Sequence, residues 1–532
     1  MHSSFVFIGL LAPLGLAAIV GAADVPQTVP VATISSQPHL DPFLAALVPE
    51  AIDGVQIEEI PLIVPDEFVV NFHGDAALAV RMLASPVKDQ TGFAPIDAVA
   101  ARAAVTEFRP LYPGADLFHD ALRGLPDMSG WYVVSVDTSA TSLEAAMEEF
   151  RWSGFAAEVQ EIGIHPVSGV PNDPSFSLQW HLQQPNDKDI DAPEGWNIQN
   201  GIPSITVAVL DTGVRYYHKD LGGVNASSSN PSATNGNVWI NTAEKNGSPG
   251  VDDDNNGYVD DWVGYDFVSS AIGTCWPGED CSGADSDPRD FNGHGTHCAG
   301  NVAAMNNNGY AVSSPAGGFG SGSNTAAGDG VKVMCLRIGH SANYSGQHVG
   351  FVRMDYAASA LYYAANKGAK IASCSWGSSN SGGLGAATTY FINNGGLVFK
   401  AAGNSGNQSA DYLCSRSDVY AVAATSQSDA KASFSNYGTW VDISAPGVSI
   451  RSTYHVFNNP TSDYVAALSG TSMATPLVAS VAAAVWSKHP TWTRTQVWNT
   501  VKNNVDSISA ANPAYSGKLG SGRINLHKAL GP

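Results

Sequence analysis

The chain has 532 residues, of which 14% are charged, and a formal net charge of −22 at pH 7. That length exceeds one ordinary domain and allows a large buried core. The acidic balance excludes a protein that binds nucleic acid through its phosphate backbone, because the phosphates would be repelled. The same charge favours solubility and attracts cations.

The first predicted element is an apolar run over residues 5–20, followed by Gly21, Ala22 and Ala23. This pattern is typical of a secretory signal peptide, here residues 1–23. A signal anchor is the alternative, because no Lys or Arg precedes the run. No later run has the length of a membrane span. We therefore expect a secreted, extracellular protein with no stable membrane association.

Residues 24–169 carry short strand and helix patterns that predict a small α+β domain. Strands are predicted at 67–72, 131–136 and 158–166, and helices at 94–108 and 142–151. From residue 204 onward apolar strands alternate with helix patterns. This alternation predicts an α/β architecture, a twisted parallel sheet with helices on both faces.

Two titratable residues stand at the ends of predicted elements in this second part. Asp211 follows an apolar strand pattern, at the carboxyl end where open α/β sheets place their sites. An acidic turn residue is the alternative. His294 lies between glycines at the start of an apolar helix, and an imidazole can accept and release a proton near neutral pH. A zinc site with His297 lacks the metalloprotease Glu.

Between these two residues lies an acidic loop, residues 252–261, with oxygen-bearing residues at alternate positions and a turn glycine. It resembles the first half of an EF-hand loop and predicts a structural Ca²⁺ site. The predicted ligands are Asp252, Asp254, Asn256, the Tyr258 carbonyl group, and Asp260 or Asp261. A solvated acidic loop is the alternative, since the Glu expected at the twelfth position is absent.

Ser472 lies in a Gly-led entry to an apolar helix predicted at residues 477–488. A hydroxyl there is close to the positive end of the helix dipole and fixed in direction. A serine nucleophile needs a base, and the base needs an orienting group. His294 and Asp211 are the candidates for those two parts.

Three segments resemble the signatures of the subtilisin-like serine peptidases: Asp-Thr-Gly from Asp211, His-Gly-Thr-His-Cys-Ala-Gly from His294, and Gly-Thr-Ser-Met-Ala-Thr-Pro around Ser472. The chain order Asp, His, Ser is also that of the family. A fourth segment, Ala-Ala-Gly-Asn-Ser-Gly around Asn404, resembles the oxyanion segment of the family. The resemblance covers roughly residues 172 to 530. An esterase or lipase is disfavoured, because the Gly-x-Ser-x-Gly elbow is missing.

The resemblance implies a serine endopeptidase that acts on polypeptides through an acyl-enzyme. Ser472 would attack the scissile carbonyl, His294 would carry the proton, and Asp211 would orient the imidazole. Asn404 would donate to the oxyanion, although a left-handed turn residue is the alternative at this position. A non-catalytic relative that binds peptides is the rival interpretation, and the four intact residues argue against it.

Two segments match the walls of the first specificity pocket of the family: Ser375, Trp376 and Gly377, and Ala401, Ala402 and Gly403. Small residues leave room for a side chain, which predicts a broad or apolar preference for the substrate residue before the scissile bond (P1). Asp411 or Cys414 could lie at the pocket base. A carboxylate there would instead favour Lys or Arg, and this alternative stays open.

The resemblance also implies a division of the chain. Residues 24–169 match the family propeptides in position and texture, and would act as a folding chaperone and transient inhibitor; a non-inhibitory binding domain is the alternative. Residues 170–532 would be the catalytic domain, a monomer released by self-processing. Asp173 and Asp220 match positions that bind calcium in relatives.

Six cysteines in a secreted chain permit disulfides. Cys275 and Cys281 flank a short loop and are the predicted pair. Cys374 and Cys414 could form a second pair. Cys298 and Cys335 are expected to be buried and free.

Overall fold

The computed structural model describes residues 50–51, 63–81, 90–113, 115, 128–163, 170–271, 273–281, 283–344, 347–456, 459 and 461–531. These residues form two compact units, Glu58–Val167 and the remainder of the chain. The predicted signal peptide lies outside the described residues, as do residues 164–169, before the expected start of the catalytic domain.

The smaller unit, Glu58–Val167, combines an antiparallel sheet with helices. From edge to edge its strands are Val105–Pro110, Trp131–Val136, Ile63–Phe72 and Ala156–Gly163. Its helices are Gly74–Arg81, Ala94–Arg102 and Leu143–Arg151. Phe68, Phe72 and Phe108 pack their rings around Phe150 at centroid distances of 5.4 to 6.2 Å and form the centre of the core. Edge-to-face packing of this kind adds to the burial of apolar surface.

The predicted helix over residues 94–108 is wrong in its second half. The helix ends at Arg102, and Ala104 has a φ of 51°, a left-handed conformation that stops the helix. The next residues form the strand Val105–Pro110, in which Val105 and Phe108 are buried. The apolar spacing fits a helix equally well, and pairing with Trp131–Val136 decides for a strand.

The larger unit is built on a nine-stranded sheet. In spatial order its strands are Val505–Asp506, Arg523–Ile524, Ile443–Pro446, Tyr420–Thr425, Leu397–Ala401, Ile371–Cys374, Thr206–Asp211, Lys332–Arg337 and Gly264–Asp266. All neighbours are parallel except the first two strands. This arrangement and the helices on both faces confirm the predicted α/β fold class.

Alternate residues of the central strands face opposite layers of helices, as the period of two in a strand requires. Val207 and Val209 belong to one apolar cluster, together with the helices His294–Ala303 and Thr471–Lys488. Ala208 and Leu210 belong to a second cluster. The helices Met354–Asn366 and Leu384–Asn393 belong to that second cluster. Burial on both faces explains why these strands read as continuous apolar runs.

Two small antiparallel sheets accompany the large one. The first orders Glu50–Ala51, Tyr464–Leu468 and Ile450–Tyr454, and the second Gln347–Val352, Gly339–Tyr344 and Thr274–Cys275. The other helices of this unit are Ala192–Trp196, Lys219–Gly222, Thr242–Lys245, Arg494–Asn503 and Leu526–Leu530. Short 3₁₀ turns are Phe176–Leu178, Pro231–Ala233, Leu413–Ser415 and Pro513–Tyr515.

Candidate active site

Asp211 is the last residue of the aspartate strand, Thr206–Asp211, an interior strand and the third from one edge of the large sheet. Its side chain is buried, and Oδ1 accepts hydrogen bonds from the Thr212 N–H group at 2.8 Å and from His294 Nδ1 at 2.7 Å. The carboxylate therefore fixes the tautomer of His294: Nδ1 carries the proton that faces Asp211, and Nε2 is left free to accept a proton.

His294 is the first residue of the histidine helix, His294–Ala303. Burial favours its neutral form, but the charge and hydrogen bond of Asp211, together with the contribution of Cys298, outweigh burial and raise the pKa of His294 well above its usual range. The preceding Gly293 has a φ of 103°, and a Cβ atom there would lie 2.6 Å from the Tyr454 ring. Glycine is thus required for the chain to enter this helix beside Tyr454.

His297 does not join a metal site with His294. Its Nε2 atom lies 2.9 Å from the Ile450 carbonyl oxygen and 3.0 Å from that of Ala466. Burial lowers the pKa of His297 to about 3, so it is neutral and donates to backbone. Its role is to tie the histidine helix to the neighbouring small sheet.

Ser472 is the second residue of the serine helix, Thr471–Lys488. The predicted helix over 477–488 therefore begins six residues too late, and Pro476 lies inside it. The hydroxyl group of Ser472 donates to the Ser375 carbonyl oxygen at 3.0 Å. Reaching the imidazole of His294 requires rotation of this side chain. Catalytic hydrogen bonds are often long in the free enzyme and form in the complex.

Because of Pro476, the Ser472 carbonyl oxygen has its hydrogen-bond donors outside the serine helix. Proline has no N–H group, so it cannot donate to the carbonyl group four residues earlier, which is that of Ser472. That carbonyl oxygen accepts instead from Ser375 Oγ at 2.9 Å and from Cys298 Sγ at 3.5 Å. Cys298 is one turn beyond His294, and its sulfur lies 3.9 Å from His294 Nδ1. The thiol thus packs between the histidine helix and the serine helix.

Asn404 lies just beyond the pocket strand, Leu397–Ala401, and its amide is held from one side. Its Oδ1 atom accepts from the N–H group and the hydroxyl group of Thr471, both at 2.9 Å. With the oxygen so engaged, Nδ2 is directed to the cleft side and lies 3.5 Å from the position a Cβ atom of Gly470 would take. An amide donor thereby stands next to the residues that lead into Ser472.

One cleft joins Ser472 and Asn404 to the predicted pocket walls. It is lined by all six predicted wall residues, Ser375, Trp376, Gly377, Ala401, Ala402 and Gly403, together with Asn404 and Ser472. The remaining lining residues, which the sequence analysis did not single out apart from Asp411, are Lys400, Ser405, Ser409, Asp411, Asn436 and Thr471. Trp376 is fixed by an Nε1 donation to the Leu210 carbonyl oxygen at 2.6 Å.

Asp411 does reach the cleft, but it is not an unpaired carboxylate. Lys400 Nζ lies 2.9 Å from Asp411 Oδ2. Sequence reasoning missed Lys400, although a lone lysine within the apolar run Leu-Val-Phe-Lys-Ala was a visible signal. Cys414 is buried behind the cleft and donates its thiol to the Ala401 carbonyl oxygen at 3.4 Å.

The acidic loop contains a carboxylate cluster that differs from the predicted ligand set. Oxygen atoms of Glu244, Asp254 and Asp261 lie within 4.8 Å of one another. The Lys367 ammonium group binds Asp254 and lies 3.5 Å from Asp261. Glu244, outside the predicted loop, accepts from the Asp254 N–H group at 3.0 Å.

The other predicted members of this loop serve its own turns. Asp252 accepts from the N–H groups of Asn256 and Gly257 at 3.0 and 2.7 Å. Asn256 Oδ1 accepts from the Tyr258 N–H group at 2.7 Å. Tyr258 packs its ring against Tyr265 at a centroid distance of 4.7 Å. These hydrogen bonds organise the loop, and Ca²⁺ coordination by its oxygen atoms stays a prediction.

Asp173 and Asp220, far apart in sequence, meet in the interior. Their carboxylates are joined by one loop: Asn308 donates its backbone N–H group to Asp173 at 3.0 Å and its side-chain amide to Asp220 at 2.8 Å. Burial raises the pKa of Asp173 to about 7. Burial, together with the charge of Asp173, raises the pKa of Asp220 well above its usual range. Two buried, mutually repelling carboxylates suit a hard cation such as Ca²⁺.

Cys275 and Cys281 are joined by a disulfide bond. Cys298 and Cys335 are buried free thiols. The possible second pair is wrong, because Cys374 and Cys414 are also free and buried in this structure. Burial raises the pKa of both to about 12, so they behave as apolar side chains.

Comparison with known proteins shows which protein family the chain belongs to. The sequence profile of the subtilase family, Peptidase_S8, matches residues 203–522. The chain belongs to this family, and it is a serine endopeptidase that acts on polypeptides.

Two curated relatives illustrate the similarity. Thermitase of Thermoactinomyces vulgaris is 34% identical over 362 residues, which cover 68% of this chain and 99% of thermitase. Subtilisin Savinase of Lederbergia lenta is 40% identical over 243 residues, 45% of this chain and 78% of that protein. A solved structure of proteases from Pseudoalteromonas arctica is 26% identical, covers 68% of this chain and 98% of its own, and has a TM-score of 0.49.

Within the described part of the chain, no helix combines the length and the apolar character needed to cross a membrane.

Proposed function

We propose that Asp211, His294 and Ser472 form the catalytic triad of this endopeptidase, with Asn404 as an oxyanion donor. The observation that carries the proposal is the 2.7 Å hydrogen bond between His294 Nδ1 and Asp211 Oδ1. Cys298 links this pair to Ser472, because its sulfur lies 3.9 Å from His294 Nδ1 and donates to the Ser472 carbonyl oxygen at 3.5 Å. Ser472 and Asn404 line one cleft. His294 is the base and Asp211 is its orienting group, and both are fixed by buried elements of the larger unit.

The reaction follows from these positions. Ser472 Oγ attacks the scissile carbonyl carbon while His294 Nε2 takes its proton. Asp211 stabilises the imidazolium that forms, in accordance with the raised pKa of His294. The Asn404 amide and the Ser472 backbone N–H group stabilise the oxyanion. His294 then protonates the leaving amine, and water repeats the sequence on the acyl-enzyme.

The specificity that fits this cleft is a broad or apolar P1 preference. Alanine and glycine along the walls leave space for a side chain, and the one carboxylate at the cleft, Asp411, is neutralised by Lys400. The alternative preference for basic P1 residues therefore loses its support.

We also propose that Ca²⁺ stabilises the fold at Asp173 and Asp220. Their carboxylates are buried and repel each other, which fits a hard cation, and Asn308 donates hydrogen bonds to both. Bound calcium would supply positive charge to the folded state only. A second candidate is the cluster of Glu244, Asp254 and Asp261, in which Lys367 already supplies one positive charge.

The precursor organisation is part of the proposal: a signal peptide at residues 1–23, a propeptide at 24–169 and a secreted, monomeric catalytic domain at 170–532. The α+β unit Glu58–Val167 has its own core, as a separately folding inhibitor would need. Self-processing near residues 165–171 would couple release to a completed active site.

One experiment tests nucleophile and processing together. The wild-type chain and Ser472→Ala are expressed for secretion, treated with a fluorophosphonate probe, assayed on casein and sequenced at the N-terminus. We expect labelling, casein digestion and a start near residue 170 for the wild type only. Ser472→Ala should accumulate as the unprocessed chain. Labelling of the variant would contradict the assignment of Ser472, and its normal maturation without another protease would contradict self-processing.

A further inference from the structure

The cleft beside Ser472 contains an ion pair that the catalytic steps do not use. Lys400 is the fourth residue of the pocket strand, Leu397–Ala401, and Asp411 lies two residues before the short turn Leu413–Ser415. Their charged atoms are 2.9 Å apart. The Lys400 side chain is 1% exposed and that of Asp411 is 23% exposed, so the carboxylate is the member that faces solvent in the cleft.

Surrounding backbone holds both partners in place. Lys400 Nζ also donates to the Ala401 carbonyl oxygen at 2.7 Å. The Asp411 carboxylate accepts from the N–H groups of Ser378 and Cys414 at 2.8 and 3.0 Å. Because both walls of the pocket contribute to this arrangement, the pair is a fixed feature of the cleft.

Both groups are charged at neutral pH. Burial opposes ionisation of each, but the attraction between them outweighs burial, so the pKa of Asp411 is lowered and that of Lys400 is raised. This part of the cleft lining therefore carries one positive and one negative charge, and its net charge is zero.

This neutrality decides what the pocket can select. A carboxylate with no partner would attract the ammonium or guanidinium group of a P1 Lys or Arg. Here the partner position is already filled from within the protein, and an incoming cation would meet Lys400 at close range. A neutral P1 side chain meets neither repulsion nor an unpaired charge.

We propose that Lys400 is a specificity-determining residue, which neutralises Asp411 and so prevents the pocket from selecting basic P1 side chains. The inference rests on the proposed function, in which this cleft receives the P1 residue. According to this inference, Lys400 is the reason why basic P1 residues are not preferred. It predicts that a preference for basic P1 residues appears when Lys400 is replaced.

The test compares kcat/KM for matched peptides that differ only at P1, with Leu, Lys or Glu. The wild type should have a Lys/Leu ratio below one. In Lys400→Met, which keeps an unbranched side chain of similar length, the ratio should rise by about tenfold or more, because the substrate cation replaces the lost partner. In the double variant Lys400→Met/Asp411→Asn the ratio should fall back.

Asp411→Asn tests the same ion pair from its other side, by measuring the preference for an acidic P1 residue. This variant also keeps the inference testable if Lys400→Met fails to fold. It leaves the Lys400 ammonium group without its carboxylate, so the Glu/Leu ratio should rise by about tenfold. Each ratio is taken within one variant, and a reduced fraction of folded enzyme does not change it.

A wild type that prefers P1 Lys over Leu overturns the inference, as does a folded Lys400→Met or Asp411→Asn variant whose ratio rises less than about threefold. A wild type that cleaves no peptide contradicts the proposed function and this inference with it. An active wild type with unchanged ratios in the variants contradicts the inference alone.

Discussion

At the residue scale, the Asp211–His294 hydrogen bond accounts for the protonation behaviour of the site. Burial alone would keep the imidazole of His294 neutral, and the charge and hydrogen bond of Asp211, together with Cys298, reverse that tendency. The pair has no solvent between its members at 2.7 Å. Loss of the charge should therefore change both the pKa of His294 and its orientation.

The first prediction concerns Asp211→Asn. Without the carboxylate, burial becomes the main influence on the pKa of His294, so that pKa falls. The acidic limb of the kcat/KM profile should move to lower pH, while kcat drops by about 10⁴-fold because the imidazole loses its orienting acceptor. Steady-state kinetics across pH 5 to 10 measure both effects. An acidic limb that stays in place or moves upward would contradict the assignment.

The second prediction uses two serines on the same segment. Ser375→Ala removes the 2.9 Å donor to the Ser472 carbonyl oxygen, which Pro476 has left without a helical partner, and should lower the free energy of unfolding by about 1–3 kcal/mol. Ser373→Ala is the matched control, because the Ser373 hydroxyl is buried with no hydrogen-bond partner in the described structure. That variant should be neutral or more stable.

Denaturant unfolding of enzyme inactivated by a sulfonyl fluoride would measure both serine variants without autolysis. An equal loss in the free energy of unfolding for the two variants would show that the hydrogen bond from Ser375 to Ser472 does not contribute to stability.

At the element scale, the start of each catalytic helix depends on contacts that its own sequence does not reveal. The histidine helix begins after Gly293, whose backbone packs closely against the Tyr454 ring. The serine helix begins at Thr471, whose N–H and hydroxyl groups donate to Asn404. Proline is expected near a helix start, which is why the sequence suggested that the helix begins after Pro476. Ser375 and Cys298 donate to the Ser472 carbonyl oxygen in place of the missing N–H group of Pro476, so the helix continues past the proline.

The third prediction belongs to the first of these helices. Gly293→Ala combines a φ of 103° with a Cβ atom 2.6 Å from the Tyr454 ring and from the His455 carbonyl oxygen. It should cost more than the roughly 1 kcal/mol of a left-handed alanine, and it should lower kcat because His294 is the next residue. Thermal unfolding and casein hydrolysis measure the two effects.

Gly368→Ala is the control for backbone strain. Its φ is 78°, but a Cβ atom there has nothing within 4 Å. It should show the strain cost alone, with activity retained. If both variants lose the same stability and both retain activity, the contact with Tyr454 is not what positions the histidine helix.

At the scale of the whole molecule, folding brings together side chains that are not neighbours in the sequence. Asp173 and Asp220 meet beneath one loop, and their burial raises the pKa of each. An acidic protein of net charge −22 gains from a bound cation at such a point. Stability of the larger unit should therefore depend on calcium.

The fourth prediction is that chelation with EDTA lowers Tm and speeds autolysis. Calcium bound only to the folded state at a hundred times its dissociation constant contributes about 2.7 kcal/mol. Asp220→Asn should lose most of the calcium-dependent shift in Tm, whereas Asp254→Asn should keep it if the interior site dominates. Differential scanning calorimetry of the inhibited enzyme, with added Ca²⁺ or Mg²⁺, measures the shift. An unchanged Tm in EDTA would contradict calcium binding at either site.

Most of the fold could be predicted from the sequence, because its strands are buried on both faces and its helices are strongly apolar. The strand predicted before Asp211 lies where expected, as Thr206–Asp211. The segment 94–108 shows the limit. Its apolar spacing suits two structures, and only pairing with a distant strand distinguishes them.

The sequence by itself determined the chemistry of this protein: an aspartate, a histidine and a serine in a recognisable order, each at the end of an apolar element. Such information is local, because each motif must supply its own turn, glycine and side chain. The tertiary structure decided which charges are neutralised. Lys400 meets Asp411, and Lys367 meets Asp254, across gaps in sequence that no local pattern spans. Ionic partners are set by packing, and packing is a property of the folded chain.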